Sequence, residues 1–94
     1  MFIIDLPYKA PLEAIDGAMS DHVNYLNRNF ARGYFIASGR KVPRTGGIIL
    51  ASGPDLEELK ELIKEDPFVS LDLASVNITE FNATKYNDAL KGIL

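Results

Sequence analysis

The chain has 94 residues, 47% hydrophobic and 24% charged, the proportions of one globular domain rather than a disordered or membrane protein. Ten basic residues against thirteen acidic ones leave a net charge of −3, which lacks the basic footprint of a nucleic-acid binder. With no cysteine and one histidine, thiol catalysis, thiolate metal sites and a multi-histidine metal centre within one chain are excluded.

The opening "MFIIDLPYK" is too short and too polar for a signal peptide or a membrane span, so a cytoplasmic location away from membranes is expected. "FIIDL" reads as a first strand closed by Pro7, with Asp5 on the face opposite Ile4 and Leu6. Pro11 fits the first turn of one long helix whose apolar stripe runs from Leu12 to Phe30 and which ends at Gly33. "YFIAS" (34–38) and "GIILA" (47–51) read as hairpin strands joined by the basic loop "GRKVPRTG". In "SGPDLEELKELIKED", Asp55 and Glu58 form a capping-box pattern ahead of a second helix, with Leu56, Leu59 and Ile63 as its stripe.

Pro67 stops that helix at Asp66. Asp66 followed by Pro67 is also an N-cap and first-turn pair that starts a short turn through "PFVSL". "LASVNITEF" (73–81) then alternates as a last strand, and "TKYNDALKGIL" is either a terminal helix or an arm. The order is β-α-β-β-α-β over residues 1–94, one α+β ferredoxin-like domain with an antiparallel sheet and helices on one face. "GIILA" is apolar on both faces, and a second copy is the natural cover for the bare one. A homodimer whose two sheets face each other and enclose a cavity is therefore expected, with Ser38, Asp5 and Asn77 as candidate polar groups on that face.

The single histidine is the chemical anomaly. On a helix, His22 falls on the same stripe as Ile15, Met19, Leu26 and Phe30. Its neutral ring has one donor and one acceptor, and leaving either unpaired in an apolar setting costs about 1 to 3 kcal/mol. A core role, satisfied by a carbonyl or a carboxylate, and a general-base role both fit. Arg40, Lys41 and Arg44 place three cations in the hairpin loop, where an arginine fork suits a planar carboxylate or enolate. Arg44 is favoured because Gly46 and Gly47 let the backbone approach a ligand, and solvation of the loop is the plain alternative.

The histidine of "DHVNYL", "GYFIASGR" leading into "VPRTGGIILA", and "EDPFVSLDLA" resemble the YCII-related (YciI-like) family in order and approximate spacing. The resemblance implies a ferredoxin-like domain that dimerises into an α+β barrel. It also implies a histidine- and aspartate-centred site, which maps to His22 and Asp66. Many relatives have proline where this chain has Arg40. Two functions follow as expectations. One is proton-transfer lyase or isomerase chemistry, dehydrochlorinase-like, on a small hydroxylated or acidic compound. His22 would then be the base, Asp66 its orienter, and Arg44, Arg40 and Ser38 the substrate contacts, with no cofactor needed. The other is a dimeric metabolite-binding or accessory protein without turnover.

Overall fold

The computed structural model describes residues 1–94 as a four-stranded antiparallel sheet with helices packed on one face. The strands are β1 (Phe2–Pro7), β2 (Phe35–Arg40), β3 (Gly46–Ala51) and β4 (Asn77–Glu80), in the order β2-β3-β1-β4. This order follows from two split β-α-β units and matches the ferredoxin-like plan.

The helix expected over Leu12–Phe30 is two: α1 (Leu12–Gly17) and α2 (Met19–Ala31), broken at Ala18. Gly17 explains the break, since glycine is among the weakest helix formers and no side chain packs there to compensate. Only the inner part of the stripe is buried: Ile15, Ala18, His22 and Tyr25 lie inside, while Leu12 and Phe30 remain exposed. Gly33 ends the segment at φ +77°, a left-handed conformation open to glycine.

The second helical region is α3 (Leu56–Ile63), where the Asp55 side chain caps by accepting from the Glu58 N–H at 2.8 Å, and α4 (Pro67–Ser70). Leu59, Leu62 and Ile63 join Phe2, Ile4, Leu6, Phe35, Ile49 and Ala51 in one core between sheet and helices. Alternation leaves Ile3, Ile48 and Leu50 on the other face with Asp5, all half-buried, and no helix covers them. Asn77 pairs with Asp5 on that face, as expected.

Several boundaries differ from expectation. Helix α3 ends at Ile63 rather than at Asp66, because the Glu65 and Asp66 N–H groups close turns on the Leu62 and Ile63 carbonyls. The hairpin strands run to Arg40 and from Gly46, and Lys41 N–H donates to the Gly46 carbonyl at 2.9 Å, so Arg40 belongs to a strand rather than a loop. Gly46 is required at this crossing, because a Cβ would sit 2.5 Å from the Leu6 carbonyl oxygen. The last strand is short because the Leu73 and Ala74 N–H groups are drawn to the Phe68 carbonyl, leaving Ala74 a single bridge to Tyr8. Of the two readings for the C-terminal segment, the arm holds: its only regular structure is a 3₁₀ turn at Asp88–Leu90. No helix is long and apolar enough to cross a membrane.

Candidate functional site

A pocket of about 90 Å³ lies between one end of the sheet and helices α2 and α4. Its apolar wall comes from Leu6, Met19, Ile49 and Phe68, and its polar groups from Tyr8, His22, Ser38 and Arg40. His22 enters from the first turns of α2 and is only 9% exposed. Asp66 is fully buried at the N-cap of α4, where Pro67 fixes the first turn and the carboxylate accepts from the Phe68 N–H at 2.9 Å.

The two meet. His22 Nδ1 lies 2.8 Å from Asp66 Oδ1, a contact between residues 44 positions apart. A carboxylate only accepts, so Nδ1 carries the proton and donates it, which leaves the Nε2 lone pair free in the neutral ring. Nε2 has no partner within the chain and is not among the sealed orphan atoms, so it opens on the pocket. The imidazole also stacks on Phe68, with ring centres 3.8 Å apart and planes 7° from parallel. Asp66 and Phe68 together thus fix the tautomer and the plane of the ring.

Asp66 Oδ1 serves both donors, whereas Oδ2 is buried with no partner. Such an atom costs stability. It also leaves the carboxylate short of donors, so its charge is available to offset the positive charge the imidazole gains on accepting a proton. Behind this pair, the Tyr25 hydroxyl donates to the Leu62 carbonyl at 3.0 Å. Burial, reinforced by the nearby Asp66 and Glu65 charges, pushes its phenol well above the ordinary value of 10.0.

The other predicted residues divide. Ser38 and Arg40 line the pocket with His22, but from the helix side of the sheet, not from the uncovered face where Ser38 was expected. The cause is a β-bulge at Ile36: the register passes from Phe35–Ala51 to Ala37–Leu50 and flips the parity of the rest of β2. Arg44 does not line the pocket. Its Nη2 pairs with Asp16 Oδ1 at 2.5 Å, a hydrogen bond that raises the already high guanidinium pKa, and it neighbours the site only through the Tyr8 hydroxyl. The favoured loop cation is therefore held by the end of α1. Tyr8 and Phe68 were not singled out from sequence. Tyr8 follows Leu6 by two positions on the same face, and Phe68 is the third residue of the Asp-Pro-Phe segment. No group of three His, Cys, Asp or Glu side chains is placed to hold a metal ion.

The model of the YCII-related domain matches residues 1–82, most of the chain. The chain belongs to the YCII-related family. No curated protein matches this YCII-related chain in sequence. Among solved structures, it resembles 5-chloro-2-hydroxyhydroquinone dehydrochlorinase from Burkholderia phenoliruptrix AC1100, solved as a complex with 2,5-dihydroxybenzoquinone. The TM-score is 0.72 and the identity 16%, over 87% of this chain and 94% of that one. At that identity the likeness establishes a shared fold for the YCII-related chain.

Proposed function

We propose that the protein catalyses proton transfer on a small hydroxylated or acidic compound, in a lyase or isomerase reaction with His22 as general base. The observation that carries this reading is the His22–Asp66 pair, with Nδ1 held at 2.8 Å by a buried carboxylate and Nε2 facing the pocket. Nε2 takes a proton from an O–H or an activated C–H, and the electron pair of the broken bond stays on the substrate as a phenolate or enolate. In an isomerisation, the imidazolium returns that proton to another atom of the conjugated system. In an elimination, the pair forms a new double bond as a leaving group departs from the neighbouring carbon with its own bonding pair. Asp66 keeps the ring oriented and offsets its charge throughout. The dehydrochlorinase of shared fold supports the elimination branch by analogy.

The test is solvent-deuterium exchange. Incubation in D₂O with a panel of hydroxylated aromatic and keto acids, followed by NMR, should show a substrate C–H exchanged by the wild type and not by His22→Gln. Binding without turnover is the second reading, favoured by a pocket lined by one histidine and by no Asp, Glu or Lys that could act as a second acid or base. Exchange in no compound that binds would select it.

The half-buried residues Ile3, Ile48 and Leu50 on the uncovered sheet face support a homodimer joined sheet to sheet. Sedimentation tests this directly.

A further inference from the structure

Three cations sit at positions 40, 41 and 44, and two of them already have a carboxylate. Lys41 pairs with Asp5 at 2.6 Å and Arg44 with Asp16 at 2.5 Å. Arg40 makes no ion pair, and it is the one of the three that lines the pocket with His22. Its placement is built into the strand. The bulge at Ile36 puts Ser38 opposite Ile49 and Arg40 opposite Gly47, on the helix side. Gly47 keeps the space beneath Arg40 clear, since it offers no side chain there.

Volume sets the pose. About 90 Å³ is smaller than the roughly 150 Å³ of a cavity that encloses benzene, so a six-membered ring fills the apolar part and extends into the mouth. Ser38 and Arg40 are the exposed polar groups there. Building on the general-base reading, we propose that Arg40 is a specificity-determining residue that binds an anionic group on the substrate. The substrate class is then a compact planar ring or enol bearing a carboxylate or ionised hydroxyl, lodged with its apolar part against Phe68 and Ile49. Arg40 takes the anion through its guanidinium fork, and Ser38 supplies a second hydrogen bond.

Calorimetric titration of the full-length protein with 2,5-dihydroxybenzoate and with uncharged hydroquinone tests this by binding alone. The wild type should prefer the anion by about tenfold or more, as a charge-assisted contact provides. Arg40→Gln should abolish that preference while leaving hydroquinone affinity unchanged, and Arg40→Lys should restore part of it. His22→Gln should retain the preference, because selection of the anion does not require proton abstraction. A preference that survives in Arg40→Gln, or a wild type that shows none or binds neither compound, overturns the proposal. Deuterium exchange reads the other claim: selectivity that follows Arg40 while His22→Gln still exchanges the substrate proton would sink the general base and leave the anion site standing.

Discussion

His22 and Phe68 lie ring on ring, 3.8 Å apart, while the backbone N–H of Phe68 donates to the same Asp66 oxygen that holds His22. One short helix start therefore supplies the carboxylate, its second donor and the surface on which the imidazole rests. Phe68 is 3% exposed, so Phe68→Ala should cost about 3 to 5 kcal/mol through lost burial and a cavity. Phe68→Leu should cost nearer 1 kcal/mol and leave the fold intact. The chain has a single histidine, which makes its imidazole proton signals unambiguous. Loss of the stacked ring current in Phe68→Leu should shift them downfield, with proton exchange at the substrate reduced as the ring loses its plane.

Tyr25 gives the fold an alkaline limit. Burial raises its phenol above 10.0, so the folded state keeps a proton that the unfolded chain releases. The contribution is fully present below pH 10 and is lost as pH rises above it, because there the native state binds more protons than the unfolded one. Tyr25→Phe should flatten this part of the stability curve measured by urea unfolding. Below pH 10 it should cost about 1 kcal/mol, since the Leu62 carbonyl loses its donor.

Arg44→Ala should leave the melting temperature nearly unchanged, because its ion pair with Asp16 is solvent-screened. Affinity for 2,5-dihydroxybenzoate should also hold, since Arg44 lies outside the pocket lining. A loss as large as that of Arg40→Gln would show that the guanidinium leaves Asp16 to reach the ligand.

The contrast between these arginines marks where the sequence stops being legible. Element order, the capping roles of Asp55 and Asp66, the strand stop at Pro7 and the helix stop at Gly33 rest on local rules, and each appears in the structure. The choice of Arg44 over Arg40 rested on flexible glycines nearby. The structure instead lines the pocket with Arg40, because the bulge at Ile36 and the partner Asp16 are tertiary facts, invisible in a pattern of three cations. Likewise, His22 on an apolar stripe announced a need for a partner, but no spacing rule joins positions 22 and 66. That pairing followed from the family resemblance, and the fold supplies its geometry by starting α4 beside α2.

Assembly has its own test. Leu50 is half-buried on the uncovered sheet face, so Leu50→Arg keeps the internal core, formed by Ile49 and Ala51 on the other side, while placing charge in the proposed dimer contact. Sedimentation should show a wild-type dimer at micromolar concentration and a folded Leu50→Arg monomer. A wild-type monomer would remove the sheet-to-sheet barrel.

The dyad itself is best measured by a double-mutant cycle. His22→Gln should cost roughly 1 to 3 kcal/mol of stability, because the Asp66 carboxylate loses a donor in a buried setting. Its larger effect should be on chemistry: removing a general base lowers turnover on the order of 10² to 10⁴-fold. Asp66→Asn keeps an oxygen to accept from the Phe68 N–H, but it places an amide N–H where Oδ2 is now sealed without a partner. The fold should survive with reduced stability, and turnover should fall because the imidazolium loses its counter-charge. Since Asp66 acts on the substrate only through His22, the double variant should turn over no more slowly than His22→Gln alone. Additive losses would mean that Asp66 contributes by a route other than the imidazole, and the 2.8 Å contact would then be a feature of the helix cap alone.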